Sequence, residues 1–167
     1  GATGAVGLKM LEVLKDRKFP VGELKLLASE RSSGIKLDFN GKKIPVEVLS
    51  GSSFEGIDVA LFSAGASVSR EYAPFAVASG TVVIDNSSAY RNDPQVPLVI
   101  PEINPDDILS HNGIISNPNC TTAIMLTVLN SIHKYSRIKK IIVSSYQSVA
   151  GAGQKGINEL ADQTIAM

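Results

Sequence analysis

Residues 116–122 read SNPNCTT, and Cys120 within them is the only cysteine of the 167 residues. A lone thiol has two readings. It can pack as a small, inert hydrophobe. Alternatively it can act as a nucleophile, because an apolar-periodic stretch begins at Thr121, directly after it. The unpaired N–H groups and dipole at a helix start favour a thiolate, which is the nucleophilic form. Pro118 before it and the two threonines after it read as a loop entering a helix, with Thr121 or Thr122 as N-cap. A cysteine nucleophile needs a base, and only His111 and His133 are present. His133 lies along the same helix at roughly 20 Å, given a rise of about 1.5 Å per residue, and is out of reach. His111 falls in a loop, either as the partner or as a solvated surface residue. The base is therefore expected outside this chain.

A second candidate is the opening GATGAVG, with glycines at positions 1, 4 and 7. Glycines there permit a tight turn, let backbone N–H groups approach a pyrophosphate, and allow close helix–strand packing. The spacing is a variant of the usual dinucleotide fingerprint, and a purely structural glycine turn is the other reading. Further along, where such proteins select the ribose, the sequence is LLASERSSG. A strand ending near Ala28 or Ser29 puts small residues where an NAD-selecting acid belongs. Arg31, Ser32 and Ser33 then lie just beyond, which favours the 2′-phosphate of NADP, with Glu30 as the competing ribose-binding acid. The fingerprint also calls for a strand before the glycines. The chain is accordingly read as a piece of a longer protein, lacking that central strand and cut short at its far end.

The elements that must position these residues follow from hydrophobic period. Val6, Met10, Val13 and Leu14 have helical spacing, ended by KFPVG. Short apolar runs at 24–29, 44–49, 57–65, 81–86, 97–101 and 113–117 read as strands. Residues 66–80 have helical length, with Pro74 as a kink or break. A helix from Thr121 to about Lys134 carries Met125, Val128, Leu129 and Ile132 on one stripe. A strand at 138–147 and a helix from Gln154 begin a second unit. Strands alternating with helices predict an α/β fold with a mainly parallel sheet.

Composition narrows the partners. Apolar residues make up 44% and charged residues 19%, ordinary for a folding globular chain. Sixteen basic residues balance sixteen acidic ones without a basic cluster, so nucleic acid and anionic membrane surfaces are not expected partners and a small molecule is. One cysteine and two histidines cannot build a zinc site, so no metal is expected, and a reducing, cytoplasmic setting is. No apolar run reaches the roughly 18 to 20 residues of a transmembrane helix.

The motifs GATGAVG, LASERSSG, ALFSAG, VIDNSSAYR, PLVIPEIN, SNPNCTT and SSYQSVAGAG, in this order, resemble those of the aspartate-semialdehyde dehydrogenase family along essentially the whole chain. The resemblance implies a Rossmann-like, doubly wound NADP-binding domain over residues 1–118, and the start of an α+β catalytic and dimerisation domain over 119–167. It implies interconversion of aspartate 4-semialdehyde, phosphate and NADP⁺ with 4-phospho-aspartate and NADPH, a step toward lysine, methionine, threonine and isoleucine. Carried over, Cys120 is the nucleophile that forms an acyl-thioester, Gln147 orients the substrate, and Asn119 helps position the thioester carbonyl. Arg91 binds phosphate or the acyl phosphate.

On the same resemblance, Gly1, Thr3, Gly4, Ala5 and Val6 hold the pyrophosphate, and Arg31 and Ser32 the 2′-phosphate. Ser63, Ala64, Gly65 and Asn86 hold the nicotinamide half, and Ala150 and Gly151 occupy a cofactor-binding pair that is Ser-Gly in the family. Ala150 lacks that hydroxyl. The acid/base histidine and the arginine for the substrate carboxylate are expected further along the full chain, which is implied to be a homodimer or homotetramer. Plainer readings stand beside these: a solvated Arg91, Gln147 as a polar strand end, Ser63 capping the following turn, and Asn86 in an Asx turn. Competing functions are a related phosphorylating dehydrogenase, of the glyceraldehyde-3-phosphate or N-acetyl-glutamyl-phosphate reductase kind, and a non-catalytic cofactor-binding paralogue.

Overall fold

The computed structural model describes residues 1–166. They form two compact units, one comprising residues 1–49 with the segment from Ser144 onward, the other residues 50–143.

The first unit contains α1 (Ala5–Asp16), β1 (Leu26–Ala28), β2 (Lys36–Phe39), β3 (Lys42–Val48) and, near the end of the chain, α4 (Gln154–Ile165). The strands form one sheet in the order β1-β3-β2. β1 and β3 are parallel, with Leu26 opposite Val46. β2 and β3 are an antiparallel hairpin. β2 was not expected from hydrophobic runs, because its alternation KLDF is too short and polar to stand out. The turn was the better signal: Asn40 and Gly41 both sit at positive φ, 52° and 79°, as a two-residue hairpin loop whose twist matches the strands requires. Leu26, Ala28 and Val46 are the buried core, with Ala2, Leu11, Leu24, Leu37 and Ile44 packed against them. Leu11 anchors α1 to this core, whereas Val6 and Val13 of the expected stripe Val6, Met10, Val13 and Leu14 are exposed.

The second unit is a βαβ arrangement. β4 (Val59–Phe62), β5 (Val82–Asp85) and β6 (Ile114–Ser116) are all parallel, in the order β4-β5-β6. α2 (Ala66–Ala78) connects the first two, and α3 (Cys120–Tyr135) follows the third. Val83, Phe62, Asp85 and Ser116 are buried, as are Ser69, Ala73 and Ala76 of α2. Small residues on α2 bring its backbone close to the sheet. Pro74 does not break α2, which continues to Ala78. Its missing N–H leaves the Arg70 carbonyl without its helical donor, but both residues are on the exposed face, where water can satisfy it. The alternating strands and helices match the Rossmann-like α/β class expected from the sequence.

Two expected strands differ. Within 97–101 only Leu98 pairs, in a single bridge to Ser116, and the chain then turns, with Ile103 N–H donating to the Ile100 carbonyl at 2.8 Å. Pro97 and Pro101 bracket the run and supply no N–H to a ladder. Residues 138–147 form no strand at all. Their composition suits a strand, but a strand exists only with a neighbour to bond, and none lies alongside among the described residues. No helix is long and apolar enough to cross a membrane, among the described residues.

The Ser116 hydroxyl is fully buried without a hydrogen-bond partner, while the equally buried Ser69 hydroxyl donates to Asp85 Oδ1 at 2.8 Å. The two serines therefore respond oppositely to the same substitution. Ser116→Ala should leave stability unchanged or raise it by up to about 1 kcal/mol, and Ser69→Ala should lower it by about 1–3 kcal/mol. Urea unfolding midpoints check the pair, and a larger loss for Ser116→Ala would contradict it.

Candidate functional site

In the first unit the glycine-rich segment wraps the start of α1. The N–H groups of Gly1 and Ala2 both donate to the Leu27 carbonyl, at 3.1 and 3.0 Å. Leu27 alternates with Leu26 and Ala28, so this lies on the edge of β1 away from β3. Gly4 is the N-cap and makes no side-chain cap. The first-turn N–H groups of Ala5 and Val6 take no acceptor from the described residues, which is the arrangement that receives an anion. Gly7 is buried, and a Cβ there would fall onto the Gly1 carbonyl oxygen and within 2.8 Å of that of Ala2. That glycine is what lets the turn close over the helix.

Beyond β1 the chain makes a 3-10 turn, Glu30–Ser32. Thr3 Oγ1 donates to Ser32 Oγ at 3.0 Å, tying the glycine-rich turn to the segment expected to select the ribose. Arg31 and Glu30 are both exposed, and Arg31 has no carboxylate partner among the described residues. Gln147, Ala150 and Gly151 lie in the same unit, the latter two in a 3-10 turn, Val149–Ala152. A side chain at Gly151 would run into the Gln147 amide.

In the second unit the expected residues gather at the carboxyl ends of β5 and β6. Asp85 ends β5 and Ser116, its register partner, ends β6. From Asp85 the chain enters a loop whose shape its carboxylate sets. Oδ1 accepts from Ser69 Oγ at 2.8 Å and from Ser87 N–H at 3.0 Å, and Oδ2 from Ser87 Oγ at 2.7 Å. Ser87 Oγ then accepts from Ala89 N–H at 3.0 Å. Tyr90 donates to the Ser69 carbonyl at 3.4 Å, and burial first, then the Asp85 charge, raises its phenol above the ordinary range.

Arg91 closes this loop. Its Nε donates to the Asn117 carbonyl at 2.9 Å and Nη2 to the Asn86 carbonyl at 3.0 Å, while Asn117 Nδ2 donates to Asn86 Oδ1 at 2.7 Å. The partly buried Arg91 is therefore clamped rather than solvated, with N–H groups left for a ligand. Asn86 takes part in this clamp rather than in an Asx turn of its own. Three residues after Asn117 comes Cys120. It is exposed among the described residues. It is the first residue of α3, not the residue before it. The N-cap is Asn119, whose Oδ1 accepts from Thr121 N–H at 3.0 Å and Thr122 N–H at 3.4 Å; neither threonine caps. Asparagine competes with threonine for this position because its carbonyl reaches both N–H groups.

Ser63, Ala64 and Gly65 follow β4. Gly65 is the N-cap of α2 without a side-chain cap, so Ser63 does not cap that helix. His111 precedes the amino end of β6 and accepts from Gly113 N–H at 2.9 Å, at the end of the strand opposite to Cys120. His133 accepts from Ile138 N–H at 3.2 Å, far along α3. Neither serves Cys120. Among the described residues no cluster of side chains suits a metal ion. Sequence reasoning missed Asn117, which accepts from Arg91, and Asp85, Ser87 and Ser69, which shape the loop before it. The legible signal was an aspartate where the 81–86 run places a buried position.

Residues 1–111 match the semialdehyde dehydrogenase NAD-binding domain. The chain belongs to the semialdehyde dehydrogenase family. The dimerisation domain of the semialdehyde dehydrogenases matches residues 129–167. The aspartate-semialdehyde dehydrogenase of Bacillus subtilis is 52% identical, over all of this chain and 48% of its own length. The crystal structure of aspartate semialdehyde dehydrogenase II complexed with ASA, from Vibrio cholerae, is similar with a TM-score of 0.90 and 51% identity, over 99% of this chain and 50% of that one. The enzyme of Candida albicans, solved with NADP, is similar with a TM-score of 0.70 and 28% identity, over 83% of this chain and 46% of that one. The chain thus spans about half the length of the relatives it matches.

Gly7→Ala tests the glycine-rich turn. In an ordinary helix interior this change stabilises by about 1 kcal/mol. Here the overlap with two backbone carbonyls should instead cost about 1–3 kcal/mol. Thermal unfolding reads the sign, and stabilisation would show that the turn relaxes freely.

Proposed function

We propose that this chain supplies the cofactor-binding elements and the nucleophile of an NADP-dependent, phosphorylating aspartate-semialdehyde dehydrogenase. The observation that carries the reading is the pairing of an exposed Cys120 at the first position of α3 with an Arg91 clamped to Asn117, three residues upstream. A thiol nucleophile three residues along the chain from the carbonyl that anchors a guanidinium suits acyl transfer to and from phosphate. The relatives named above, one of them solved with NADP, support the cofactor and the substrate. The domain division follows the same reading: residues 1–118 bind the dinucleotide, and 119–167 begin a catalytic and dimerisation domain, so the complete protein is a homodimer or homotetramer.

The first unit fits a dinucleotide phosphate. Unpaired N–H groups of Ala5 and Val6, with Thr3 and Gly4, suit the pyrophosphate. An exposed Arg31 without an acidic partner and the hydroxyl of Ser32 suit the 2′-phosphate. Ser63, Ala64, Gly65 and Asn86 are assigned to the nicotinamide half, with Ala150 and Gly151 completing the set. When bound, the dinucleotide exchanges a hydride with the acyl carbon.

In the biosynthetic direction the Cys120 sulfur forms a bond to the acyl carbon of 4-phospho-aspartate. The C–O bond to phosphate breaks, its electron pair leaves with phosphate, and Arg91 compensates the charge. A thioester remains on Cys120, with Asn119 near its carbonyl and Gln147 orienting the amino acid. Once the carbon is reduced, the aldehyde departs and the thiolate is regenerated. The acid/base histidine and the arginine for the substrate carboxylate belong to the rest of the protein.

Phosphate-dependent reduction of NADP⁺ by the complete protein, with aspartate semialdehyde against other aldehydes, tests the substrate; preference for another aldehyde would overturn it. Cys120→Ser should cut turnover on the order of 10³-fold or more while NADPH binding stays near normal. Wild-type-like turnover would remove the nucleophile role. Arg31→Ala should weaken NADPH binding by roughly 10- to 100-fold, the worth of a charge-assisted contact, and leave NADH binding unchanged. Fluorescence titration with both dinucleotides reads the difference.

A further inference from the structure

Asp85 is a buried carboxyl that the mechanism above does not use. It is fully buried, and no cation pairs with it among the described residues. Its carboxyl oxygens accept from neutral donors of Ser69 and Ser87. A buried carboxylate of this kind is costly unless its hydrogen bonds are fully made, so it holds its donors firmly.

Those donors lead to Arg91. Ser87 offers both its N–H and its hydroxyl to Asp85, and its hydroxyl oxygen accepts from Ala89 N–H, so the carboxyl fixes the chain from Asp85 to Ala89. Asn86, whose carbonyl receives Arg91, lies inside that loop. The second carbonyl on Arg91 belongs to Asn117, and Asn117 N–H donates to the Asp85 carbonyl at 2.9 Å. Asp85 therefore locates both acceptors of the guanidinium, one through its side chain and one through its main chain.

We propose that Asp85 is a positioning residue for the phosphate group: with Ser87 it sets the loop that aims Arg91, while taking no contact with phosphate itself. The proposal rests on the reading that Arg91 binds phosphate. An oriented guanidinium discriminates a tetrahedral oxyanion from other groups, so loosening the loop should affect phosphate and spare the dinucleotide.

The test is steady-state kinetics of the complete enzyme in the phosphate-consuming direction, with Arg91→Ala, Asp85→Asn, Ser87→Ala and the double variants carrying Arg91→Ala. Ser87→Ala keeps the buried carboxylate and is the milder change if Asp85→Asn fails to fold. Asp85→Asn or Ser87→Ala should raise the KM for phosphate about tenfold or more, with the KM for NADP⁺ within about twofold of wild type. In the Arg91→Ala background the same changes should add little, because the residue they aim is gone. A folded Ser87→Ala enzyme with an unchanged phosphate KM, or effects that multiply with Arg91→Ala, would overturn the positioning role. An unchanged phosphate KM in Arg91→Ala alone would overturn the phosphate reading of Arg91 and the proposal with it.

Discussion

The second unit depends on a carboxylate that has left water without a counter-ion. Asp85 stands at the end of β5, and its carboxyl oxygens are held by donors of Ser69 and Ser87. The site that results is rigid because each donor has one place to be. Ser69 ties α2 to the strand end, and Ser87 bends the following loop. The Asp85 main chain then anchors Asn117, where β6 gives way to the segment leading to Cys120. Small residues on α2 are part of the same solution. Ala73 and Ala76 let the helix approach closely enough for a serine hydroxyl to reach the carboxylate.

Much of this was legible in the sequence, and the failures have distinct physical causes. Apolar periods located α1 and α3, helical length located α2, and apolar runs located five of the strands. β2 was invisible to that signal, since a hairpin strand with an exposed face is specified by its Asn-Gly turn more than by its side chains. The 97–101 run failed for the opposite reason: Val99 and Ile100 are buried, but prolines deny it a ladder. Residues 138–147 have strand composition and no neighbour. Pairing is a property of two segments, and one segment cannot announce it.

The candidate site divides in the same way. Cys120, Arg91 and the glycine turn were found because their residue types carry chemistry. Asp85, Ser87 and Asn117 were missed because their role lies in whom they hold, and that becomes visible only with distances. The cap of α3 illustrates the difference. Threonines and an asparagine are all competent caps, so sequence leaves the choice among them open. The observed choice of Asn119 puts Cys120 inside the first turn of α3 rather than ahead of it.

Thr3 and Ser32 share one hydrogen bond across the first unit, and only one hydroxyl in such a pair can donate inward. The other proton must point elsewhere, so the pair has a direction: Thr3 donates and Ser32 keeps a free proton to offer. An incoming phosphate oxygen can take that proton without disturbing the bond behind it. Polarisation along the pair would then strengthen both contacts together, so that an acceptor taken by Ser32 is felt at Thr3 in the glycine-rich turn.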